Sequence, residues 1–190
     1  MPLTLTTLLV PTYTQMLKSL SNWLQKAQAQ MPPAQAEALL SARLAPDMFP
    51  LSTQVRFVCV QVREAIHRLR DEDFPASLRL LLDEGRNAGE RPGTLADALA
   101  RIDETLALLG ALGPDALDKD PDSALAHALP DGMTFDMTAG QYARDWSLPQ
   151  CYFHLMTAYA ILRHKGVELG KVDYVPHMFA YLRPGTAPGG

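Results

Sequence analysis

Four polar side chains in one apolar run are the residues of this chain best placed to do chemistry. Along Gln150-Cys-Tyr-Phe-His-Leu-Met-Thr-Ala-Tyr-Ala-Ile-Leu-Arg-His164, a helical rotation of about 100° per residue puts Gln150, His154, Thr157 and His164 in one narrow strip, with Ile161 among them. Tyr152, Leu155, Met156, Tyr159 and Leu162 cover the remaining surface. A polar strip on such a helix must find partners inside the protein or face a cavity. Gln54 and Gln61, one heptad apart on an earlier amphipathic segment, are the polar residues placed to approach it, and a buried polar pocket is the expectation. A metal site in a helical bundle needs at least three convergent His or carboxylate ligands, usually with two on one helix at i and i+3 or i+4. His154 has glutamine four residues before it, and His164 stands nearly three turns further along the axis, too far to share an ion with it. A hydrogen-bonded structural role for His154 therefore leads, ahead of ligand binding or catalysis, with metal ligation last.

Other candidates have simpler explanations. Cys59 and Cys151 lie in apolar helical segments without a nearby helix terminus or basic neighbour to lower their thiols, and read as reduced packing residues. Asp47 is either a pocket carboxylate or, more simply, the N-cap of the helix that follows. His127 and His177 have no evident partners and receive no role. Arg63, Arg68 and Arg70 gather at the end of a helix, where they suit the negative end of its dipole better than a nucleic-acid footprint. No GxGxxG, Walker, HExxH or GxSxG pattern is present.

The elements that must position these residues are helical. Apolar residues recur from about Thr12 to Gln30, and Pro32-Pro33 then introduces a short connector ending at Ala45-Pro46. Beyond Asp47, with Pro50 in the first turn, Met48, Leu51, Val55, Val58, Val62, Ile66 and Leu69 form the clearest apolar stripe in the chain. SLRLLLDEG makes another short helix, and Thr94 caps a third long one, with Asp97 in its first turn and Gly113-Pro114 beyond its end. Between Asp118 and Met137 the period changes to alternation around Pro-Asp-Gly at 130–132, which predicts a small hairpin lying against the helices. Helix resumes from Thr138, Pro149 should kink or restart it, and the last helix, predicted to be the most buried element, ends near Gly166 in a left-handed cap. The tail from Pro184 is expected to be disordered.

A length of 190 residues, 47% hydrophobic and 20% charged, fits one globular domain over 1–175 with a partly disordered tail over 176–190. The net charge of -4 comes from interspersed residues, which disfavours nucleic acid as a partner. The opening MPLTLTTLLVPTYTQ has neither a basic start nor an apolar run near the ~20 residues that span a bilayer, so no membrane association is expected and the compartment reads as cytoplasmic.

Two segments carry a resemblance: Leu44-Ala-Pro-Asp-Met-Phe-Pro-Leu51, and Tyr152-Phe-His-Leu-Met-Thr-Ala-Tyr-Ala-Ile-Leu-Arg-His-Lys-Gly-Val167 with the following Gly170-Lys171 and Asp173-Tyr174. They resemble an uncharacterised bacterial family grouped with the DinB- and YfiT-like metalloenzymes, over roughly Leu9 to Tyr174. The resemblance implies an all-α antiparallel four-helix bundle with short connecting helices, often a homodimer, with its pocket between the helices. Catalytic members of the wider superfamily hold a divalent metal on three histidines, one from the second helix and an HxxxH pair from the last, and several act with low-molecular-weight thiols. Carried over by position, His154 is the only matching ligand, Gln150 replaces its partner, and Gln54 lies near the helix-two ligand. The expectation is therefore a DinB-like protein without a metal cofactor, binding a small molecule near Asp47, Gln54, Gln61, Gln150, His154 and Thr157. Its alternatives are a divalent-metal or thiol-dependent transferase, and a structural or interaction protein.

Overall fold

Thr4 opens the first helix: its hydroxyl oxygen accepts from the Thr7 amide while the Thr7 hydroxyl oxygen accepts from the Thr4 amide, satisfying two N–H groups that a helix start leaves over. This helix, α1, runs Leu5–Gln30 in the computed structural model, which describes residues 3–129 and 131–186. It begins well before the expected Thr12 and runs through Pro11. An internal proline costs about 3 kcal/mol, but Leu5 and Leu9 are buried here, at roughly 2 kcal/mol each, and offset it.

α2 (Pro33–Ala38) and a 3₁₀ turn over Leu39–Ser41 lead to α3 (Leu51–Leu69). α3 has Pro50 as its N-cap, which corrects the expected Asp47 cap; the Leu51 amide donates to the Ala42 carbonyl at 2.9 Å, and Asp47 stands exposed in the preceding turn. α4 (Ala76–Asn87) and α5 (Leu95–Gly110) follow, the latter opened by the expected Thr94–Asp97 capping box.

α3 is the centre of the bundle, packing on α1, α4, α5 and α7 (Leu148–His164). It buries 14 of its 19 residues, against 7 of 17 in α7, so the last helix is not the most buried element. The cause is on α7 itself, where Phe153 and Met156 face outward. Polar residues that α3 buries are answered by its neighbours: the Thr53 hydroxyl donates to the Gly85 carbonyl at 2.9 Å, and Arg63 donates to Thr105 Oγ1 at 2.9 Å and to Glu104 at 3.1 Å. The three arginines expected at the helix end are thus dispersed, with Arg70 paired to Glu72 and Arg68 lying over the Phe74 ring.

Pairings along the helices set their directions. Ser52 meets Pro92 and Arg63 meets Thr105, so α3 and α5 run parallel; Tyr13 meets Ser147 and Trp23 meets Tyr159, so α1 and α7 run parallel. His154 beside Gln54, and Thr6 beside Asp118, make the two pairs antiparallel to each other. Parallel α3 and α5 need a crossover between them, which α4 supplies.

β1 (Ala124–Ala128) and β2 (Thr134–Thr138) form the expected antiparallel hairpin, with His127 opposite Phe135; Pro130 of its turn lies outside the described residues. Thr138 caps α6 (Ala139–Gln141), and a π-helical turn over Tyr142–Ser147 joins it to α7. Pro149 has no N–H to return to the preceding turn, which accounts for the widening just before it. Gly166 closes α7 with φ 89°, and the Val167 amide donates back to Leu162 at 3.0 Å. α8 (Lys171–Tyr174) then docks on Trp23, whose indole donates to the Asp173 carbonyl at 2.9 Å. Of the tail, Pro176–Tyr181 form a 3₁₀ turn, and 187–190 lie outside the described residues. Among the described residues no helix is long and apolar enough to cross a membrane.

Candidate functional site

Phe57, Gln61, Glu64 and Arg68 recur at helical spacing on α3 and form one wall of a cavity of about 520 Å³. Phe74 and α4 residues Leu82 and Arg86 make the second wall; His127 and Leu129 of the hairpin, with Trp146 and His154 of the last helical run, make the third. The volume falls within the roughly 300–1,000 Å³ of small-molecule sites. Alternation in β1 explains His127: Leu125 and His127 face the helices while Ala124, Ala126 and Ala128 are exposed. The π-helical turn brings Trp146 and Tyr142 onto that imidazole, with ring centroids 4.3 and 5.4 Å away.

His154 is positioned from behind. Its Nδ1 lies 2.9 Å from Gln54 Oε1, while Gln54 Nε2 donates to the Phe49 carbonyl at 3.2 Å. With the Gln54 amide oriented in this way, His154 Nδ1 is the donor, and Nε2 keeps its lone pair with no partner among the described residues. Phe57 and Phe153 stand edge-on to the ring at 5.1 and 5.3 Å. Burial lowers the His154 imidazole to about 4, so at neutral pH it is an uncharged acceptor beside the cavity. Burial, aided by Arg68, likewise lowers His127 to about 4. Burial raises the Glu64 carboxyl above the ordinary range, against the opposing pull of Arg68 and Arg86.

Eight buried side-chain nitrogen and oxygen atoms lack a partner among the described residues, and five of them belong to residues lining this cavity: Gln61 Oε1, Arg68 Nε, both ring nitrogens of His127 and Trp146 Nε1; a sixth, Tyr142 OH, is on the ring packed against His127. Each such atom costs roughly 1–3 kcal/mol when buried dry. His127 is 1% exposed, so bulk water does not satisfy it.

Of the residues singled out by sequence, the structure brings Gln54 and His154 together and places Gln61 on the same cavity. Asp47 is exposed, Gln150 is half-buried outside the lining, and the Thr157 hydroxyl donates to the Phe153 carbonyl of its own helix at 2.7 Å. His164 is exposed. Glu64, Arg68, Arg86, His127 and Trp146 were missed as site residues. The strip of Gln61, Glu64 and Arg68 and the shared face of Leu125 and His127 were signals that could have found most of them. Cys59 and Cys151 are free and buried, with thiols that burial raises to about 11 and about 12, which removes them as ready nucleophiles.

Gly85 on α4 shapes this wall, since a Cβ there would come within 2.5 Å of Phe57 Cε1. Gly85→Ala should therefore displace Phe57, which stands against His154, at about 1–2 kcal/mol of stability. Proton NMR titration of His154 in this variant should show its pKa moved from about 4. An unchanged titration would mean that Phe57 does not shield the ring.

The metal implied by the wider superfamily does not fit this donor set. Only His154 of the three matching positions carries an imidazole, and Gln54 spends its carbonyl oxygen on that ring. Among the described residues no group of three or more His, Cys, Asp or Glu side chains could hold an ion. Neutral amides are poor ligands for borderline metals.

Comparison with known proteins agrees with this architecture. The chain is similar to the crystal structure of a DinB family member from Shewanella denitrificans, with a TM-score of 0.72 and 30% identity over 97% of this chain and 96% of that one. No curated protein matches it. The family model described as "Domain of unknown function (DUF1993)" matches residues 5–175, and this DinB-like helical chain belongs to that family.

Proposed function

We propose that this protein binds a small molecule in the cavity between α3, α4, the hairpin and α7, and does so without a resident metal. The observation that carries the reading is that five buried polar atoms without a partner among the described residues belong to side chains lining one cavity of ligand size. A site built to hold a polar ligand leaves such groups unpaired until the ligand arrives. His154 serves as a neutral acceptor held by Gln54, a role that uses the amide at position 54 rather than needing a third histidine there. A purely structural protein with a closed core is less well supported, because the His154 ring borders an open cavity.

Thermal unfolding with fractionated cell metabolites tests this. Ligand near 100-fold over its Kd adds about 2.7 kcal/mol, which for a chain of this size raises Tm by roughly 5–10 °C. Leu82→Trp, which fills the cavity from α4, should abolish the rise. No active fraction, or an equal rise in Leu82→Trp, would sink the proposal. Elemental analysis of untagged protein bears on the metal: about one equivalent, lost in His154→Ala, would contradict the metal-free half. A cytoplasmic homodimer completes the proposal, and a sizing measurement showing only monomer would remove the dimer.

A further inference from the structure

The polar atoms around the cavity are unequal in kind. Trp146 Nε1, Arg68 Nε and one nitrogen of neutral His127 can only donate, whereas Gln61 Oε1 and the other His127 nitrogen accept. Arg68 and Arg86 add two guanidiniums, and neither has a carboxylate within ion-pair distance among the described residues, although Arg56, Arg63, Arg70, Arg101 and Arg144 each do. Arg68 is half-buried and rests on the Phe74 ring with its carbon 4.8 Å from the centroid, so its stem and plane are already fixed while its Nε has no partner among the described residues. Among the described residues Glu64 is the only carboxyl in the lining, and both arginines act on it. Two cations against one carboxyl leave a surplus positive charge on this lining. The rest of the lining is aromatic or aliphatic, with Phe57, Phe74 and Trp146 offering flat faces and edges.

We propose that the ligand is a small aromatic acid, its ring among Phe57, Phe74 and Trp146 and its carboxylate on Arg68, with Arg86 at the rim. This rests on the cavity being a ligand site and names the chemical class it accepts. The planar fork of a guanidinium matches a carboxylate with two parallel hydrogen bonds, and Arg68 is preoriented for it by Phe74.

Calorimetric titration of the full chain with 1-naphthoate and its neutral twin 1-naphthamide tests the class. The carboxylate is expected to bind at least ten-fold tighter than the amide. Arg68→Gln should remove that preference, and Arg86→Gln, at an exposed position that does not threaten folding, should weaken the carboxylate at least three-fold and leave the amide unchanged. Equal affinity for the two probes, or a preference untouched by both variants, would overturn the proposal. Binding of neither probe would overturn it too. The metabolite experiment separates the two readings: a Tm rise lost in Leu82→Trp would then leave the cavity as a site for another class, and no rise would remove both.

Discussion

Trp23→Ala is expected to cost about 3–5 kcal/mol of folding stability, the range for truncating a large buried aromatic. Domains of this kind have about 5–15 kcal/mol in total. Trp23 is fully buried, meets Tyr159 edge-on at 5.3 Å, stacks on Tyr174 at 6.3 Å and donates to the Asp173 carbonyl. It thus joins α1, α7 and α8 at one point. Urea unfolding measures the loss, and trypsin supplies a local readout, since freeing α8 should speed cleavage after the exposed Lys171. Trp23→Phe keeps most of the packing and loses the hydrogen bond, for about 1–2 kcal/mol. A loss below about 1 kcal/mol for the alanine variant would show that α8 is not anchored this way.

The second large effect is acid sensitivity well above the carboxylate range. His127 and His154 titrate near 4 in the folded protein and near 6.5 in the unfolded chain. Above about 6.5 both states are neutral and the histidines do not oppose folding. As pH falls from there toward 4, the unfolded chain takes up protons that the folded protein refuses, so stability drops; below about 4 the loss from these groups is complete. Between about pH 7.5 and 5 this amounts to about 2 kcal/mol per histidine. Glu64 works in the opposite sense, because its raised carboxyl favours the folded state at low pH. Glu104, Asp118 and Asp173, lowered by their partners, add their losses only further down, within the carboxylate range. Denaturant midpoints across this interval should therefore fall steeply in the native protein and much less in His127→Gln/His154→Gln. A midpoint independent of pH over the same interval would contradict the buried, neutral state of both rings.

Much of the fold was legible because periodicity and capping act locally. The stripe from Leu51 to Leu69, the Thr94–Asp97 box, the Gly166 terminus and the alternation around His127 each depend on residues within a few positions of one another. The early start of α1 was not legible in this way, because the burial of Leu5 and Leu9 that carries the helix through Pro11 rests on distant elements. The exposed Phe153 and Met156 show the complementary limit, since apolar composition does not say which face meets a neighbour. At the site, Gln54 and His154 could be paired from two helical strips. His127 and Trp146 could not, because their meeting depends on the docking of the hairpin and on the π-helical turn before Pro149.

The two tryptophans provide the most direct test of the ligand cavity. Trp23 Nε1–H is committed to the Asp173 carbonyl, whereas Trp146, whose ring lines the cavity, has an Nε1–H without a partner among the described residues, so nitrogen-edited NMR should give two indole signals in different situations. Titration with a panel of small aromatic acids, amides and alcohols should move the Trp146 signal saturably and leave the Trp23 signal in place. Shifts of both signals together, or no saturable shift of Trp146 by any member of the panel, would contradict a small-molecule site there.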